Sequence, residues 1–434
     1  MRTINKNILV FLLAGIFFCA AIGKTGESEG RPLLIKGGTV YTITKGVIPG
    51  GEILIEGGKI QKVGRNLPLP KDGSVLEARD GWIMPGFIVA HSAPIALRPM
   101  INEDLSPRIL NYLDPFAFEL RLCLASGITV YSPNAALDAY SFLDTPGMPK
   151  KNYSYQNAVL KPIYGSLKDM LVKEPAYLYI DLARLLPSEK GELREFFLRA
   201  SDYISQELEF EKTSGLKKDA KAPLLPPDLK YYVAILKKEL PVRFSADKKG
   251  DLLKALAFVD EFGFGAQILG AVEGWLFAEE LGRRTISTIL QPNAFMSPDP
   301  YSHPSGGSNV KNALLQKEKG VKFAIICSDP SVSTGGMIGG DLLTFPLAGS
   351  FAIRGGLLEK DALEALTLRP AELLGIADRV GSLEEGKDAD IIILDGNPFD
   401  YRTYVEYTII NGKIMYDKSQ SSLYKKIPKP KRIF

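Results

Sequence analysis

Histidine is nearly absent: the 434 residues include two, His91 and His303, so a metal site built from imidazoles has at most two to draw on. Cysteine is sparse as well, at three. So few thiols in so long a chain make no disulfide framework, and Cys123 and Cys327 are expected to be free and buried. Neither sign of charge dominates, with 53 basic against 50 acidic side chains. That balance argues against nucleic acid as the main partner. The clearest apolar run, Ile8–Ala21, is too short to span a bilayer comfortably.

That run carries a signal of its own. Arg2 and Lys6 precede it, small residues follow, and a polar stretch from Lys24 to Gly30 comes next. This is the layout of a secretory signal peptide, with cleavage expected after Ala21 or Gly23 and export to the periplasm or beyond. Cleavage removes Cys19 and takes the formal charge from +3 to +1. Bulky Phe18 makes Cys19 a poor site for lipid attachment. An uncleaved N-terminal anchor is the alternative.

Residues 33–82 read as short strands between glycine turns: LLIKGGTVYTI, EILIEGGKIQKVG and VLEARDGW. A matching set, ADIIILDGNP and VEYTIINGKIMYD, lies near the other end. Neither set buries a core alone, so one sheet assembled from both ends is expected, with everything between forming one inserted domain. In that insert, apolar strands (GITVYSP, AYLYIDL, LPVRFSA, GAQILGA, TISTIL, VKFAIICSD) alternate with helical stretches such as DLLKALAFVDEFG. The repetition predicts a parallel α/β domain, and the number of units favours a barrel. Lys217–Asp228 is a Lys/Pro-rich surface loop by composition, and the C-terminal KKIPKPKRIF reads as a solvated basic tail.

Two stretches carry a resemblance. GWIMPGFIVAH at 81–91, and LRPAELLGIADRVGSLEEGKDADIIILDGNPFD at 368–400 with the VEYTIINGKIMYD that follows, resemble the amidohydrolase superfamily and its imidazolonepropionase-like branch. The resemblance implies a (β/α)8 metal-dependent-hydrolase barrel inserted into a small composite β-sandwich. Its expected parts are a leader at 1–23, sandwich at 31–83, barrel at 84–375, sandwich at 376–418 and a basic tail at 419–434. Fold does not fix function, so chemistry has to be read from the site residues.

Hydrolases of this family hold one or two divalent metals at the barrel mouth, where the metal turns bound water into a nucleophile. The resemblance implies His-x-His at the end of the first strand, since residues two apart on a strand share a face. Here the segment reads His91, Ser92, Ala93. The fourth-strand lysine position falls at Tyr179, the fifth-strand histidine within 243–247 (Ser245 or Asp247), and the sixth-strand histidine near Gly270. The last-strand aspartate is kept as Asp329. The expected cofactor is therefore none, or a single zinc at a reduced site on His91 and Asp329, with His303 as a speculative third ligand and Asp247 or Glu273 adding a carboxylate. Without metal, His91 is a hydrogen-bonded remnant and Asp329 caps a helix or holds a loop. Cys327 should share a strand face with Asp329 and act as a core residue. The glycine-rich Ser333–Leu343 matches neither phosphate-loop pattern. These residues point to a degenerate amidohydrolase, binding a small molecule or pairing with itself or with a catalytically complete relative. The rival is a mononuclear hydrolase of C–N bonds in cyclic amides or small peptides, with Asp329 as its catalytic base; the third possibility is a structural envelope protein.

Overall fold

The computed structural model describes residues 31–97, 108–134, 153–154, 157–213, 222–298, 306–332, 341–422 and 424–426. The expected leader, His303, most of the glycine-rich stretch and the last eight residues lie outside these.

Both ends of the chain build one eight-stranded sheet. Leu33–Tyr41 pairs antiparallel with Val47–Glu56 and parallel with Ser74–Glu77 and Trp82–Pro85. Trp82–Pro85 continues antiparallel to Ile391–Leu394, followed by Val405–Ile410 and Lys413–Asp417, and Lys59–Gly64, antiparallel to Val47–Glu56, completes the sheet. The period-two alternation of β-branched residues gives each face its own core. Ile391 and Ile393 join Ile35, Val40, Ile53 and Ile83 in a small cluster. Their neighbours Ile392 and Leu394, with Met84, turn the other way into the core of the inserted domain. All four side chains of Ile391–Leu394 are buried. Each such aliphatic is worth roughly 1.5–3 kcal/mol against exposure, so the strand glues both layers at once.

Gly86 takes the chain from this sheet into the insert. A Cβ there would lie 2.1 Å from Thr129 Oγ1, so only glycine allows the two segments to meet. The strand that follows, Phe87–Ser92, runs parallel to Ile128–Pro133. A second sheet pairs Leu178–Asp181, Val242–Ala246, Ala266–Gly270, Ser287–Leu290 and Phe323–Ile325 in chain order, every pair parallel. Helices such as Lys249–Phe262 separate them. Between Pro133 and Leu178 the described strands are short and their pairings antiparallel: Tyr153–Ser154 on Leu178–Asp181, and Val159–Leu160 on Ile128–Pro133 and Leu171–Lys173. The longest helix, Pro187–Thr213, is polar and buries only Glu189, Leu193, Phe197 and Ala200, so no broad apolar stripe announces it in the sequence.

Insert and sheet are locked by charge. Lys161, buried, donates to Asp388 Oδ2 (2.9 Å), Asp390 Oδ1 (2.9 Å) and Asn411 Oδ1 (2.6 Å). Lys59 and Arg379 also donate to Asp388, at 2.6 and 2.9 Å.

Candidate active site

His91 sits near the end of Phe87–Ser92, a strand buried along its whole length. Its Nδ1 lies 3.2 Å from Tyr177 Oη, and its ring stacks on Tyr179 with centroids 5.7 Å apart. Burial, and then the positive charge of Arg243, hold the imidazole well below its usual pKa, so it is neutral. Its Nε2 has no hydrogen-bond partner among the described residues.

Arg243, on Val242–Ala246, is fully buried beneath this histidine's partner. The guanidinium carbon lies 3.6 Å from the centroid of the Tyr177 ring. Nη1 donates to the Ala90 carbonyl (2.6 Å), while Nε (3.0 Å) and Nη2 (2.7 Å) both donate to Gln267 Oε1. Gln267 Nε2 in turn donates to the Leu373 carbonyl at 2.6 Å. Burial lowers the guanidinium pKa to about 10, which leaves it charged at neutral pH.

Of the other expected positions, Tyr179 is brought against the His91 ring, whereas Ala93, Asp329, Gly270, Asp247 and Glu273 are engaged in other contacts. Ala93 is buried, and its N–H donates to the Pro330 carbonyl at 2.9 Å. That bond draws the first and last strand ends together, yet the Asp329 side chain is exposed and Oδ1 accepts from Ser331 N–H at 3.1 Å. Asp329 thus holds a loop. The strand ends at Ile325, so Cys327 and Asp329 do not share a face: Cys327 is buried and Asp329 is not, a correction to the expected alternation. Burial pushes the Cys327 thiol up, and its Sγ donates to the Asp329 carbonyl. Both Cys123 and Cys327 are free and buried.

Gly270 has φ +92°, and a Cβ there would lie 2.0 Å from Asp247 Oδ1. The Asp247 carboxylate therefore fills the space into which a side chain at position 270 would project. Glu273 is committed elsewhere, accepting from the backbone N–H groups of Lys249 and Gly307 at 2.6 Å each. Tyr179 is buried and hydrogen-bonded with Ser245, and burial raises its hydroxyl pKa.

A family model described as the amidohydrolase family matches residues 272–419. A 5'-deoxyadenosine deaminase of Methanobrevibacter smithii is 22% identical, over 87% of this chain and 92% of its own. An imidazolonepropionase of Thermoplasma acidophilum is 34% identical over 70 residues, which are 15% of this chain and 17% of its own. The crystal structure of an amidohydrolase from Thermotoga maritima superposes with a TM-score of 0.71 at 24% identity, covering 89% of this chain and 100% of that one. Residues 272–419 match the amidohydrolase family, and the chain as a whole is similar to proteins that carry that name.

The likeness to amidohydrolases implies a divalent metal, and the residues around His91 fit one poorly. One imidazole nitrogen is taken up by Tyr177, the position two residues on is a methyl group, and a fixed guanidinium lies one aromatic ring away. Among the described residues, no three His, Cys, Asp or Glu side chains gather as a metal-holding group. Sequence reasoning missed Tyr177, Arg243 and Gln267. A signal existed: Arg243 stands between Val242 and Phe244 on a mostly buried strand, and Gln267 holds the paired register on the next strand. A polar residue buried at such positions has to be hydrogen-bonded inside the insert.

Proposed function

We propose that this protein is an exported amidohydrolase-superfamily member that no longer performs metal-activated hydrolysis. It serves as a non-hydrolytic small-molecule binder or as the partner of a catalytically complete relative. One observation carries the reading: His91 is surrounded by Tyr177, Tyr179 and the Arg243 charge in place of further ligands. Activating water requires a Lewis acid held by several donors, and a positive charge beside the remaining donor opposes cation binding. In the accompanying fold reading, the two parallel sheets are arcs of one (β/α)8 barrel, carried on a composite sandwich, with antiparallel segments in place of the third strand. The superposition on the Thermotoga structure supports it. The test is hydrolysis of cyclic amides and dipeptides by the mature protein. Background rates, unchanged by chelation, are expected; enzyme-like rates abolished by a chelator would contradict the proposal.

A mononuclear hydrolase is the second reading. It is favoured by the unpartnered Nε2 of His91, a buried nitrogen free to accept a ligand bond, and by deaminase and imidazolonepropionase relatives that act on C–N bonds. Asp329→Asn separates the two. A hydrolase loses orders of magnitude in rate, whereas a binder, whose Asp329 merely holds a loop, loses only a little stability.

A further inference from the structure

Metal ligands contributed by several strands also hold those strands together, so a barrel without its ion needs another tie at the same depth. Resting on the metal-free reading above, we infer that Arg243 is a resident cation that takes over the structural part of the metal's role. It braces the strands around His91 through its guanidinium.

The contacts span the insert. Arg243 belongs to Val242–Ala246, the Ala90 carbonyl to Phe87–Ser92, Gln267 to Ala266–Gly270, and Tyr177 directly precedes Leu178–Asp181. Gln267 extends the line to the Leu373 carbonyl on the helix Leu368–Leu374. A buried charge is costly unless its donors are met, and here three donors of the fork reach oxygen at 2.6–3.0 Å while an aromatic face covers the guanidinium carbon. The acceptors are all neutral carbonyl oxygens. Among the described residues no carboxylate pairs with this guanidinium, so no ion pair cancels its positive field. Lysine offers a single point of donation and could not serve Ala90 and Gln267 in this geometry. The same charge discourages a divalent ion at His91, whose Nδ1 is joined to it through the Tyr177 hydroxyl and ring.

The test is thermal unfolding of the full mature chain with and without EDTA, for the wild type, Arg243→Met, Tyr177→Phe and Tyr177→Leu. The wild-type midpoint should be indifferent to EDTA. Arg243→Met should fall by about 5 °C or more, given the entropy of unfolding of a chain this long. Tyr177→Phe keeps the aromatic face and gives up only the hydroxyl's bonds to His91 and Ser132, so it should fall by less than Tyr177→Leu, which loses the face as well. Should Arg243→Met fail to fold, the Tyr177 pair decides, and equal midpoints for Phe and Leu would overturn the brace. An Arg243→Met midpoint equal to wild type would overturn the brace and leave the metal-free reading standing. A wild-type midpoint that drops with EDTA and returns with zinc would overturn both.

Discussion

Gly270 closes its strand at φ +92° with the Asp247 carboxylate where a side chain would go. A residue with a Cβ there meets two costs, an unfavourable backbone conformation and a steric overlap. Gly270→Ala should therefore destabilise the protein by about 2–4 kcal/mol in chemical denaturation. Adding Asp247→Ala should recover part of that loss, because it removes the overlap while the backbone cost stays. Additive losses from the two changes would show that the carboxylate is not the obstacle. At this scale the sequence was partly legible. His91, Ala93, Gly270 and Asp329 could be placed by resemblance, because they lie at or near strand ends with clear flanking patterns. That Asp247 occupies the Gly270 space, and that Asp329 turns outward, follow from backbone geometry that residue order does not encode.

The interlayer lock on Lys161 belongs to the scale of elements. Lys161→Met would leave the Asp388 and Asp390 carboxylates facing each other in a buried place, and should cost about 3–5 kcal/mol by urea unfolding. The two acids respond differently to the shared lysine. Burial alone would raise Asp388, but hydrogen bonds from Lys59 and Lys161 and the charges of Lys161 and Arg379 outweigh it and hold its pKa at about 2. Burial keeps Asp390 above its usual value. An unfolded aspartate titrates near 3.9, so Asp388 stabilises the fold above about pH 4, and that contribution is lost as pH falls toward 2. Asp390 acts in the opposite sense, its favourable term being lost as pH rises through its raised pKa. Asp388→Asn should flatten the acid limb of the stability profile between roughly pH 4 and 2, measured by urea unfolding across that range. An unchanged limb would place the acid sensitivity elsewhere. The acidic pair stands in the GKDADIIIL stretch that carries the resemblance, where nothing local marks it as a buried ion-pair site. Its partner lies 227 residues away from Asp388, and no local pattern links a lysine to carboxylates at that separation.

For the whole molecule, short β-branched segments between glycine turns at both chain ends, neither set able to bury a core alone, were enough to predict one sheet built from the two. Ile391–Leu394 is continuous apolar sequence because both of its faces are covered, one by the sheet's own core and one by the insert. The parallel strands were legible for the same reason. The antiparallel pairings between Pro133 and Leu178 were not, since strands two or three residues long carry no periodicity. Export remains a proposal from residues 1–23, and fractionation of the producing cells tests it: a mature chain lacking the leader should appear outside the cytoplasm, and a full-length chain retained inside would contradict it. The central claim concerns the metal. Elemental analysis of the purified mature protein, before and after mild chelation and reloading with zinc, addresses it most directly. The account predicts only trace metal at every stage, with a fold indifferent to the treatment. One zinc per chain, lost on chelation and regained on reloading, would contradict it and turn attention back to His91 as a working ligand.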